Sequence, residues 1–106
     1  MALIPDAKLS GYLFNQDNRR GWPKGRYLEQ AGFDASDLDS LRAALVSQAQ
    51  AAEFTIEQTP FGLKYRCDGL IISPSGETRM VRTVWIEDAG SGTIRFVTLK
   101  PLKRLR

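Results

Sequence analysis

The chain predicts an α+β domain in which N-terminal helices pack on one face of a four-stranded antiparallel β-meander. Apolar residues recur at helical spacing up to about residue 51, and from residue 53 the period changes to two. The links between the later segments are short, whereas a parallel crossover needs about a dozen residues or more, so consecutive strands must be antiparallel neighbours. With 106 residues, of which 42% are hydrophobic, the chain reads as a single domain over 1–106 with one core.

In chain order, Asp6 is placed to cap a short helix over 7–14, where Leu9 and Leu13 lie on one face with Tyr12 beside them. Asn15 to Gly21 is a polar loop. Pro23 suits the first position of a second helix, because its missing N–H would be unpaired there in any case. That helix runs to about Gln30 and stops at Gly32, suited to a left-handed C-terminal position, while Gly25 weakens its interior. Ser36 and Asp39 resemble a capping box for a third helix, and Asp37 and Asp39 favour its positive end. Leu38, Leu41, Leu45, Ala49 and Ala52 then form its core stripe.

Phe54 and Ile56 alternate with polar residues in a first strand, and Thr59-Pro-Phe-Gly62 turns the chain. A second strand covers 63–72, with Gly69 expected as a bulge that swaps faces before Leu70-Ile-Ile72. Ser73-Pro-Ser-Gly76 leads to a third strand over about 77–87, and Asp88 to Gly92 returns the chain into a fourth over 93–100. Trp85 reads as core, and Thr83 and Thr98 as residues suited to sheet packing.

Composition narrows the function classes. A lone Cys67 excludes an internal disulfide, and with no histidine an ordinary zinc site or a Cys–His nucleophile cannot be built. Neither a signal peptide nor an apolar run of about 20 residues is present, so the expected setting is a reduced cytoplasm with no membrane partner, no metal and no cofactor. A phosphate-cradling glycine loop is also missing, which leaves a small-molecule enzyme least supported.

The net charge of +3 is modest, but its distribution is uneven. Residues 18–28 carry Arg19, Arg20, Lys24 and Arg26 with no acid, interleaved with Trp22 and Tyr27, and Lys100, Lys103, Arg104 and Arg106 follow at the C-terminus. Guanidinium groups bind phosphate through paired donors, and aromatic rings stack on bases, so nucleic acid is the first partner class considered. Plain solvation of a basic surface explains a single patch equally well. A shared groove requires the stretch near residue 24 to fold back beside the meander.

Three stretches together resemble a bacterial family catalogued as a domain of unknown function: Lys8-Leu-Ser-Gly-Tyr-Leu-Phe-Asn15 with Gly21 and Lys24-Gly-Arg26; Phe61-Gly-Leu-Lys-Tyr65; and Thr83-Val-Trp-Ile86 with Arg95-Phe-Val-Thr98 and Pro101. The resemblance implies short free-standing proteins, sometimes beside a small companion gene, and similar domains at the C-termini of polymorphic toxins. A cognate antitoxin or immunity protein is the partner it implies. Helices followed by a sheet, with a Thr98-x-x-Pro101 ending, also resemble the barnase–EndoU–colicin–RelE group of ribonuclease toxins, which is an analogy of fold. In one departure, Asn18 stands where the family carries histidine; the basic pair Lys24 and Arg26 is retained.

Those resemblances make Lys24, Arg26 and Thr98 the candidate catalytic set, while phosphate-binding and stacking chemistry makes Arg19, Arg20, Trp22, Lys24, Arg26, Arg66, Arg82 and Arg95 the candidate nucleic-acid contacts. Metal-independent RNA cleavage needs a base at the 2′-hydroxyl, an acid at the leaving oxygen and cations on the phosphate. Without histidine that work falls to Lys24, Tyr27, Tyr65 or Glu87. Arg82 and Thr83 point to opposite faces of a strand, as do Arg95 and Thr98 unless a bulge intervenes. The expected function is a toxin-like domain acting on RNA, and the alternative is a non-catalytic module binding nucleic acid or protein, such as a phage- or mobile-element-encoded inhibitor.

Overall fold

Helices precede an antiparallel meander, and the class is α+β. The computed structural model describes residues 2–51, 53–88 and 90–102. The described residues form a five-stranded sheet with the order β1-β5-β4-β3-β2. The meander is formed by β2 (Phe54–Thr59), β3 (Gly62–Ile72), β4 (Thr78–Asp88) and β5 (Ile94–Pro101), each antiparallel to the next. The fifth strand, β1 (Ala2–Leu3), was not anticipated; it lies parallel to β5, with Ala2 opposite Ile94 and Leu3 opposite Arg95.

The first helix begins as α1 (Asp6–Lys8) and widens into a π-helical turn over Leu9–Leu13, closed by the Phe14 N–H donating to the Leu9 carbonyl at 2.9 Å. Asp6 does not cap it. Pro5 occupies the cap position without a side-chain bond, and the Asp6 carboxylate instead pairs with Arg42. Arg42 also binds Asp39 at 2.9 Å and the Ile4 carbonyl at 3.2 Å, tying the third helix to the N-terminus.

Helix α2 (Trp22–Ala31) starts with Pro23 in its first turn and ends at Gly32, whose φ of 109° is left-handed. Gly32 and Phe33 donate back to the Glu29 and Leu28 carbonyls, the paired bonds of a glycine-terminated helix. Helix α3 (Leu38–Ala51) is capped one residue later than expected. Asp37 accepts the Ser40 N–H and hydroxyl, whereas the Ser36 N–H is bound by Asp34. Leu41 and Leu45 are fully buried; Ala52, at the end of the expected stripe, lies outside the described residues.

Gly69 makes no bulge. It stands opposite Val81 in unbroken register, so Cys67 and Ile71 keep facing the core while Leu70 and Ile72 are exposed. The irregularity lies between β4 and β5 instead: Trp85 faces Phe96 and Val84 faces Thr98, leaving Val97 as the extra residue. Leu99, opposite Thr83, thereby returns to the core.

A polar chain runs through the α3–sheet layer. Buried Gln48 donates to the Cys67 and Val81 carbonyls at 2.8 and 3.2 Å, Thr83 donates to Gln48 Oε1 at 2.8 Å, and the Trp85 indole donates to Thr83 at 2.9 Å. Thus Thr83 packs in the sheet and also joins the side chains that lock α3 to β3 and β4. Trp85 is core, edge-on to Phe96 at 5.4 Å. No helix among the described residues is long and apolar enough to cross a membrane.

Candidate functional site

Two glycines bring the helices close enough to build a site. A Cβ on Gly21 would stand 1.9 Å from the Tyr12 carbonyl oxygen, and one on Gly25 only 1.7 Å from that of Leu13. α2 therefore lies directly on the π-helical turn, and Gly25 serves close approach where helix propensity alone disfavours it. Asn18 fixes the entry to α2: its side-chain oxygen accepts the Arg20 and Gly21 N–H groups at 3.1 and 2.9 Å, and its carbonyl accepts the Trp22 N–H at 2.9 Å.

This packing sets Lys24 against Tyr12 and the last strand. Lys24 Nζ donates to the Tyr12 hydroxyl and to Thr98 Oγ1, both at 2.9 Å, and those two oxygens are 3.0 Å apart. Either hydroxyl of the Tyr12–Thr98 pair can be the donor, and the Thr98 hydroxyl also lies within hydrogen-bond distance of the Leu99 carbonyl, at 3.3 Å. An ammonium has three N–H donors, and the third on Lys24 has no acceptor among the described residues. Lys8 adds a second cation 5.5 Å from the Tyr12 ring centroid, with Lys24 at 5.4 Å.

The Tyr12 phenol is held below its ordinary pKa. Burial is the largest single influence and opposes the shift, but hydrogen bonds from Lys24 and Thr98 and the charges of Lys24 and Lys8 together outweigh it. The site is thus a half-buried, cation-rich pair of hydroxyls with one ammonium proton directed at neither of them.

Of the expected catalytic set, Lys24 and Thr98 meet and Arg26 does not join them; its guanidinium lies over the Trp22 ring at 5.9 Å. Arg19 and Arg20 are exposed on the approach to α2. The sheet arginines are held by carboxylates: Arg66 by Glu57, Arg82 by both oxygens of Asp68 at 2.7 and 3.0 Å, and Arg95 by Asp88 at 3.1 and 3.3 Å. The Val97 bulge does intervene between Arg95 and Thr98, but the two bind different partners. Tyr27 donates to the Met80 carbonyl at 3.2 Å, and Tyr65 donates to Glu87 at 2.8 Å, which raises the Tyr65 pKa. Cys67 is buried, and burial pushes its thiol up. Lys100 is exposed; Lys103, Arg104 and Arg106 lie outside the described residues.

One family model matches residues 1–103, a span that includes Lys8, Tyr12, Lys24 and Thr98. The chain belongs to that family, described as Domain of unknown function (DUF6883). No curated protein and no solved structure matches it. Within this DUF6883 chain, sequence reasoning overlooked Tyr12 and Lys8 as site residues. Two signals pointed to them: Lys8 and Tyr12 are one helical turn apart, and Gly21-x-x-x-Gly25 is a spacing that lets a second backbone approach.

Proposed function

We propose that this chain is an RNA-directed domain that cleaves phosphodiesters by internal transesterification, with Tyr12, Lys24 and Thr98 at the reacting phosphate. The observation that carries the reading is the Lys24 ammonium, which acidifies a tyrosine beside it and keeps one N–H for an anion. Tyr12 in its phenolate form takes the 2′-hydroxyl proton, and the 2′-oxygen bonds to phosphorus. The P–O5′ bond breaks with its electron pair on the leaving oxygen, which takes a proton from Lys24. The products are a 2′,3′-cyclic phosphate and a 5′-hydroxyl. Transfer of the Tyr12 proton to the Lys24 amine across their 2.9 Å hydrogen bond restores both groups. Thr98 orients the phenol, and Lys8 adds positive charge where the phosphorane forms.

Exposed Arg19 and Arg20 and the Trp22–Arg26 pair border α2, where a strand's phosphates and bases would lie. The Thr98-x-x-Pro101 ending and the helix-then-sheet order, which resemble ribonuclease toxins, support the same reading, and a small antitoxin or immunity protein is then the natural partner. No cofactor enters the scheme.

The experiment is cleavage of labelled RNA in a chelating buffer by the native chain, Tyr12→Phe and Lys24→Ala. Cleavage to cyclic-phosphate ends, reduced about 10²–10⁴-fold in Tyr12→Phe, is expected. Carboxylate pairing of Arg66, Arg82 and Arg95 favours a second reading, a binding module with a weaker cationic field. Salt-sensitive RNA binding by the native chain without any cleavage would select that module and reject the chemistry.

A further inference from the structure

We infer that β2 is a self-association edge, along which two copies of this chain pair antiparallel about Ile56 into one continuous sheet. Among the described residues β2 pairs with β3 on one side only, and Phe54 to Gln58 are all exposed along it, Phe54 and Ile56 each at 54%. Edges are normally guarded by lysine, proline, bulges or short length. β2 has six residues in unbroken register, and its single charge, Glu57, is already held by Arg66 of the neighbouring strand.

Avoidance of opposed like charges selects the register. About a two-fold axis, opposed residues share a face and their numbers have a fixed even sum. A centre at Thr55 sets Glu53 against Glu57 of the second copy, and a centre at Glu57 opposes two carboxylates. Centres at Phe54 or Gln58 run the pairing into α3 or Pro60. A centre at Ile56 sets Ile56 against itself, Phe54 against Gln58 and Thr55 against Glu57, with no like charges opposed.

That register also brings Phe61, 77% exposed at the β2–β3 turn, level with the residues preceding Phe54 in the second copy. There Ala49, Gln50 and Phe54 border an apolar pocket of about 220 Å³. An aromatic side chain offers roughly 150–250 Å² in full, so the exposed parts of Phe54, Ile56 and Phe61 from two copies bring together about 600–800 Å² of apolar surface. With the strand backbones added, this approaches the lower limit of stable interfaces, about 1,200 Å². The dimer should therefore dissociate on dilution through the micromolar range.

Sedimentation of the native chain over a dilution series, combined with cysteine cross-linking, tests the inference. Cα atoms directly opposed across an antiparallel pair lie about 4.5–5.5 Å apart, within reach of a disulfide. Ile56→Cys is expected to form a covalent dimer in oxidising buffer, Gln58→Cys is not, and the double variant Phe54→Cys/Gln58→Cys is. Ile56→Lys should leave a folded monomer at concentrations where the native chain is dimeric. A native chain that is monomeric throughout, or equal cross-linking at positions 56 and 58, would overturn the inference. So would a monomeric chain that pairs through Ile56 only with a different protein.

Discussion

Alanine at Gly25 is expected to destabilise the domain by about 2 kcal/mol, although alanine is the better helix former. Its Cβ would stand 1.7 Å from the Leu13 carbonyl oxygen and 2.7 Å from the carbonyl carbon, where ordinary contact begins near 3.4 Å. α2 and the π-helical turn would have to separate by more than an ångström, across a core in which Leu9, Leu13 and Leu28 are fully buried. Overpacking costs about 1–3 kcal/mol, and a backbone atom that cannot rotate away belongs at the upper end. Helix propensity returns about 1 kcal/mol, which leaves the net loss near 2. Urea unfolding should show a lower midpoint at unchanged slope, and the melting temperature should fall by roughly 10 °C. Gly11→Ala is the control, because among the described residues nothing outside its own stretch of helix lies within 4 Å of a Cβ there. A Gly25→Ala chain as stable as the native one, or a Gly11→Ala chain equally damaged, would refute the close-approach argument.

Three further outcomes follow from the side-chain contacts. Ultraviolet titration should find Tyr12 ionising below an ordinary tyrosine, and Lys24→Met should move it upward. Because the folded state holds the phenolate, stability gains as pH rises through the lowered value towards about 10, a gain that Tyr12→Phe should lose in pH-dependent urea unfolding. Thr83→Val leaves the Trp85 indole N–H without its acceptor and Gln48 Oε1 without its donor, and should cost about 2–4 kcal/mol by chemical denaturation. The Asp68 pKa is lowered mainly by its hydrogen bond from Arg82, so its contribution is present above the ordinary carboxylate value and lost as pH falls through the lowered one. The stability gap between the native chain and Asp68→Asn should close on acidification, and should stay below about 1 kcal/mol because the pair is half-exposed.

Long periodic segments were legible because each element imposes its own spacing on apolar residues: Leu41 and Leu45 are buried on α3, and Phe54 and Ile56 keep the strand period on β2 although both are exposed. Gly32 bounded the end of α2 correctly because it suits a backbone state that few other residues adopt, and Pro23 lies in the first turn, one residue inside the start at Trp22. Features set by tertiary contact were not legible. β1 is two residues long and exists through β5. The bulge formed at Val97, where no glycine marks it, and Gly69 stayed regular, because glycine permits a bulge without requiring one. Cross-strand register decided the fate of Arg82, which stands opposite Asp68, and that register is invisible until the strands are aligned. Tyr12 looked like a core-edge aromatic because the cations that acidify it come from one turn earlier and from a different helix.

The Val97 bulge binds two fates together. Because that one residue is supernumerary, Phe96 and Leu99 both face the interior although they are three positions apart, and the Thr98 hydroxyl between them reaches its lysine. A chain lacking Val97 would still set Leu99 opposite Thr83 by plain alternation, so this is a place where the strand can lose one residue without turning its interior side chains outward.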